Sequence, residues 1–259
     1  MAKHIRSAKS GDEWTQSDLR AYNIQVVEQS LAEFFNLSQL PPVSPAVRHF
    51  CETTDRFRAP DDDTYKLLHY LDLAQNPKIG QEAVVDSFMA RLLETLGYAS
   101  GHRVIVTHQA IPLIACGTQC SAQTDVCICD ENGCYLLLVQ TDKQFDFPED
   151  TAPQLIAEAI AAYQRNNFIR DRVLNIPILN EITFPGITLT GTSPTFYKIK
   201  ITSKLSDAIM GGIFPAESVV VYRHTPQLPH RNSEGMELLE SRATILQYYQ
   251  AFKAFVMLQ

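Results

Sequence analysis

The chain has 259 residues, 45% of them hydrophobic and 20% charged, a globular balance long enough for one large domain or two small ones. No apolar run approaches the roughly 20 residues that cross a bilayer, so no membrane partner is expected. A formal charge of −7 argues against tight, non-specific nucleic-acid binding, which calls for a basic face.

From the N-terminus, "MAKHIRSAKSGDEW" lacks an apolar stretch, so no secretory signal is expected. Residues 15–36 carry helical spacing, with Leu19, Ile24, Val27, Leu31 and Phe34 near one face. "LPPVSP" ends that pattern, and residues 37–63 look like an irregular, acidic connector. Residues 80–98 form the strongest predicted helix, with Val84, Phe88, Leu92 and Leu96 at every fourth position and Gly97 placed to stop it. "RVIVTHQ" reads as a strand and "PLIAC" as a separate short one. "AQTDVCIC" and "CYLLLVQ" form a hairpin around the polar tip Asp130-Glu131-Asn132-Gly133. "APQLIAEAIAAYQRNN" is a second amphipathic helix, with Pro153 in its first turn. "FPGITLTGT", "TFYKIKIT" and "SVVVYRH" read as strands, "LSDAIMGG" as a short helix, and residues 234–258 as a long closing helix. The expected architecture is α/β: a mixed central sheet flanked by helices. Residues 1–64 would pack a helix and connector onto a domain of residues 65–259.

The phosphate-loop, dinucleotide-binding, nucleophile-elbow and H-E-x-x-H patterns are all absent. The chemistry therefore concentrates in "TDVCICDENGCYLLLVQTDK", residues 124–143. Metal-assisted phosphodiester cleavage needs carboxylates to hold a cation and gains from a lysine beside the scissile phosphate. Residues two apart on a strand share a face, which puts Thr141 and Lys143 together, with Asp125 on the neighbouring strand. The bland alternative is a half-buried hairpin with Asp125 and Lys143 paired at its rim.

On these residues the chain resembles the PD-(D/E)XK nuclease superfamily over residues 80–192. The predicted order matches that superfamily's α-β-β-β-α-β core. Asp125 resembles its metal-binding Asp and Lys143 its motif Lys, while Thr141 stands where the motif has Asp or Glu. Glu82 resembles the acid that many members carry on the preceding helix, and so a second metal ligand. Gln154 and Glu158 share one face of the following helix, where some members place polar groups near substrate. A closer resemblance is to an uncharacterised fungal family with this core, carried by "DVCICD", "LLLVQTDK", "PQLIAEAIAAYQRNN", "FPGITLTGTSPTFYKI" and "YYQAFKAF". In that family a Glu commonly precedes Asp-Lys. The resemblance implies Asp125, Lys143, Thr141 and Glu82 as catalytic residues, Mg²⁺ or Mn²⁺ as cofactor, and DNA or RNA as substrate. Thr141 implies an impaired or repurposed site, or an inactive interaction protein on the same scaffold. A neutral hydroxyl is a poor ligand for a hard cation.

Residues 165–204 carry a local net charge of +4, and Arg165, Arg170 and Lys198 would approach a nucleic-acid backbone. Cys116-x₃-Cys120 and Cys127-x-Cys129-x₄-Cys134 do not have the spacing of paired C-x₂-C knuckles, so zinc is not expected. Six cysteines without a signal suggest reduced thiols and a cytoplasmic or nuclear setting. His102 and His108 read as rim or satisfied core groups. The closing helix would cover the sheet or pair with a protein partner, including a second copy.

Overall fold

The computed structural model describes residues 7–76, 83–142 and 150–257, with the Asp142 side chain left aside. Chain order runs α1 (Gln16–Ala21), β1 (Ile24–Glu28), α2 (Leu31–Phe35), α3 (Arg48–Glu52), α4 (Asp62–Gln75), α5 (Val84–Thr95), β2 (Val104–Ala115), β3 (Thr118–Cys129) and β4 (Tyr135–Asp142). It continues with α6 (Ala152–Arg172), β5 (Glu181–Thr190), β6 (Ser193–Thr202), α7 (Ser203–Met210), β7 (Val219–His224) and α8 (Leu239–Met257). Seven strands form one mixed sheet in the order β1-β7-β6-β5-β4-β3-β2. β2, β3 and β4 make an antiparallel meander, and α6 then carries the chain across so that β5 runs parallel to β4. The α/β expectation therefore holds, and α5-β2-β3-β4-α6-β5 appears in the predicted order.

Each face of the sheet buries its own core. Val126, Ile128, Leu137, Val139 and Phe196 pack with Phe88 and Leu92 of α5 and with Tyr249 and Phe252 of α8. Cys127, Leu138, Tyr197 and Ile199 pack on the other side with Leu155, Ile156 and Ile160 of α6. Gly186 on β5 allows that close approach, because an added Cβ would lie 3.0 Å from Leu155 Cδ2.

The helix expected over 15–36 is a correction. The chain leaves α1 through Asn23 at φ +53° and enters β1, which pairs in parallel with β7 at the sheet edge. Ile24, Val26 and Val27 are β-branched and find a partner strand there, which outweighs their helical spacing. Ser30 and Glu33 then close a capping box that starts α2. Nor is "PLIAC" a separate strand. β2 runs unbroken from Val104 to Ala115, and Pro112 is tolerated because β2 lies at the sheet edge. The 37–63 connector also contains α3, and its Val47 and Phe50 are buried in the core.

A local irregularity positions the site. Val106 and Ile111 both pack toward α6, although five residues apart along β2, and so do Ala122 and Cys127 along β3. Strict alternation would send one of each pair to the opposite face. The switch falls at His108 and Asp125: Thr107 pairs with Val126 and Gln109 with Thr124, and the step between them is missing from the ladder. His108 takes φ +53°, a left-handed backbone that is uncommon for a residue with a side chain.

Candidate metal centre

Four elements meet at this kink. Asp86 comes from the first turn of α5, His108 from β2, Asp125 from β3 and Thr141 from the end of β4. The β3–β4 register runs from Cys129↔Tyr135 to Val126↔Val139. Beyond it the Thr141 backbone N–H donates to Asp125 Oδ2 at 2.7 Å, so a side chain takes over from the ladder. β4 stays paired with β5 there, through Gln140↔Thr188 and Thr141↔Leu189. The carboxylate is thus set in the split between β3 and β4.

Asp86, Asp125 and Thr141 are buried, with 1%, 8% and 5% of their surface exposed, whereas the His108 side chain is 44% exposed. The Thr141 hydroxyl lies 2.7 Å from Asp86 Oδ1 and 2.9 Å from Asp125 Oδ2. A hydroxyl has one proton, so it serves one carboxylate at a time. His108 Nε2 stands 3.5 Å from Asp86 Oδ2. One ligand atom each from Asp86, His108 and Asp125 fall within 4.8 Å of one another, the only such group of three metal-binding side chains among the described residues. Two carboxylates and an imidazole, buried on one side and open at the histidine, fit a divalent cation.

Glu158 lies beside this group on the α6 face. It is 1% exposed, and neither carboxyl oxygen has a hydrogen-bond partner among the described residues. The nearby Thr124 hydroxyl is directed to the Val126 and Val139 carbonyls, at 3.1 and 3.2 Å. Burial, and next the charge of Asp125, hold Glu158 well above the usual carboxylate range.

The structure thus joins Asp125 and Thr141 and sets Glu158 beside them. Lys143 and Glu82 lie outside the described residues. Gln154 donates to the Asp12 carbonyl at 3.0 Å and ties the N-terminal segment to α6. Arg165 stacks on Phe168, 5.2 Å from its ring centre, and lines a groove with Gln109 and Asp130. Lys198 sits on β6, two strands from β4. Its ammonium donates to the Phe34 carbonyl and lies over the rings of Phe34 and Phe255, at 4.6 and 4.1 Å. Burial lowers its pKa. These contacts hold it, half-buried, against the Phe34 and Phe255 rings of α2 and α8. Arg170 Nε donates to the Pro177 carbonyl at 2.9 Å. Cys127 and Cys129 pack toward α6, with sulfurs 4.0 Å apart.

Sequence reasoning missed Asp86 and His108. Asp86 shares the buried stripe of α5 with Val85, Phe88, Met89, Leu92 and Leu93. An acid inside an apolar helical stripe is the signal that would have found it. For His108 the signal is the parity break between Val106 and Ile111. Comparison with known proteins matches no family profile, and no curated protein is significantly similar. No helix among the described residues is long and apolar enough to cross a membrane.

Proposed function

We propose that this protein is a nuclease-like, divalent-metal-dependent phosphodiesterase whose centre is Asp86, His108 and Asp125. One observation carries it: two buried carboxylates and an imidazole converge where β3 and β4 part, within the α5-β2-β3-β4-α6-β5 order. That order, with β4 and β5 parallel, is the one a PD-(D/E)XK core would have, and Asp125 stands on its second strand. When bound, the cation would supply Lewis-acid activation of water and balance charge on a phosphodiester of DNA or RNA. Asp86, His108 and Asp125 would hold it. The Thr141 N–H and hydroxyl fix the Asp125 carboxylate, and partly exposed His108 lies on the side open to solvent. Lys143, two residues beyond Thr141, is the chain's own candidate to steady the phosphate.

A second reading, a non-catalytic interaction module on the same scaffold, is favoured by Thr141. A neutral hydroxyl sits between the two acids, where the nuclease motif would have a third carboxylate. One experiment separates the two. Purified protein is incubated with DNA and RNA in Mg²⁺ or Mn²⁺ beside an Asp125→Ala control. Product above the control supports hydrolysis. No product, with no calorimetric metal binding that Asp125→Ala removes, supports the module, and native Mg²⁺ binding lost in Asp125→Ala counts against it.

A further inference from the structure

From the donor set, and resting on the metal centre proposed above, we infer that His108 is a metal ligand through its imidazole nitrogen and that the centre prefers a first-row transition ion, Mn²⁺, to Mg²⁺. Mg²⁺ favours an all-oxygen shell and sheds its waters reluctantly. An imidazole in the shell moves preference toward transition ions. His108 is placed to supply that nitrogen by the kink itself. Its left-handed backbone breaks the alternation of β2, and its ring reaches within 3.5 Å of the buried Asp86 carboxylate. Regular alternation would have set the ring by the pleat alone.

A separate observation also points to a cation here. Glu158 is 1% exposed, has no hydrogen-bond partner among the described residues, and has Asp125 as its main electrostatic neighbour. Three carboxyl groups from α5, β3 and α6 thus gather at one place, and no described donor reaches Glu158. Buried acids so arranged are relieved by a dication or by protonation. A mixed N,O shell decides which dication serves best.

The test uses the full chain, stripped with chelator and dialysed, and titrated with Mn²⁺ or Mg²⁺ by calorimetry. Wild type should take one Mn²⁺ per chain with affinity roughly 10-fold or more above that for Mg²⁺, the scale on which a single ligand interaction tunes a site. Pulsed electron paramagnetic resonance of the Mn²⁺ form should show ¹⁴N coupling from a directly bound imidazole. His108→Asn is the variant of choice, because Asn tolerates a left-handed backbone. It should lose the nitrogen coupling and bring the two affinities to within about 3-fold, with circular dichroism and melting checking the fold. Equal affinities for both ions with no ¹⁴N coupling in wild type would overturn the role of His108 and leave a centre of Asp86 and Asp125 standing. Failure of wild type to bind either ion would overturn the centre and this inference together. The nitrogen signal is read on wild type, so the question remains decidable even if the variant does not fold.

Discussion

Replacing Thr141 by valine removes one hydroxyl at nearly constant shape. That hydroxyl lies 2.7 Å from Asp86 Oδ1 and 2.9 Å from Asp125 Oδ2. Since it carries a single proton, one charge-assisted hydrogen bond is at stake, of about 1.5–3 kcal/mol in a buried setting. Asp125 keeps the backbone donor of residue 141, which valine retains, so the loss falls mainly on Asp86. The expected destabilisation is about 2 kcal/mol at pH 7, or a fall of about 4–8 °C in Tm for a chain of this length. Urea denaturation in chelator measures it, with Thr141→Ser as the control that keeps the hydroxyl and loses only a methyl. A Thr141→Val loss below ~0.5 kcal/mol would show that the hydroxyl does not couple the two acids. A serine variant as unstable as the valine one would show that the methyl, and not the proton, matters. Metal binding would add stability by mass action, about 2.7 kcal/mol at a hundred times Kd, so chelator must be present throughout.

Glu158→Leu should stabilise the metal-free protein progressively as pH rises. The folded-state pKa of Glu158 lies above its usual 4.5, so wild-type stability from this group is fully present below that value and is lost as pH rises toward the folded pKa. Urea midpoints of the two proteins from pH 4.5 to 8 should diverge, and parallel curves would reject the account. Asp61→Ala should cost about 1 kcal/mol at pH 7, because the Asp61 carboxylate accepts from the Thr64 N–H at 2.7 Å at the start of α4. That hydrogen bond lowers the pKa of Asp61, so the difference between the proteins should be present above pH 3.8 and shrink as pH falls through the folded pKa, measured by the same denaturation. Gly235→Ala should cost at least about 1 kcal/mol, since residue 235 has φ +51° and its new Cβ would run into Thr192 Oγ1, which accepts from the Met236 N–H. A melting temperature equal to wild type would contradict that. Arg242→Met should cost about 3 kcal/mol or more by denaturation, because this buried guanidinium holds the Met236, Phe50, Thr53 and Glu237 carbonyls.

The elements legible in the sequence were those whose period was long and undisturbed. α6 keeps helical spacing over 21 residues, and the β3–β4 hairpin carries a turn whose Asp130 side chain accepts from the N–H groups of Asn132 and Cys134. β1 was hidden because its short β-branched run overlaps a helical spacing between two short helices. Only the presence of β7 beside it selects the strand. At the candidate site, Asp125 and Thr141 were legible because they flank clean apolar runs, Asp125 just before Val126–Cys129 and Thr141 shortly after Tyr135–Val139. Asp86 was masked by the acid four residues earlier in the sequence, Glu82, which matched an expected motif. The participation of His108 depends on a left-handed backbone within β2, and no local preference of histidine announces that.

Thr141 and His108 are best understood together. A centre built on Asp86, Asp125 and a third carboxylate at 141 would present three negative charges to the ion, in addition to the neighbouring Glu158. With threonine there, two carboxylates would match the charge of one dication, and an imidazole ligand would fill coordination without adding charge. The same hydroxyl lies between the two acids, which limits the repulsion that a buried pair would otherwise suffer. Substituting glutamate at 141 therefore does more than restore a motif. It places a third buried carboxylate within reach of Asp86 and Asp125 and removes their shared hydroxyl donor. The metal-free protein should lose stability as a result, even where its affinity for a hard cation rises.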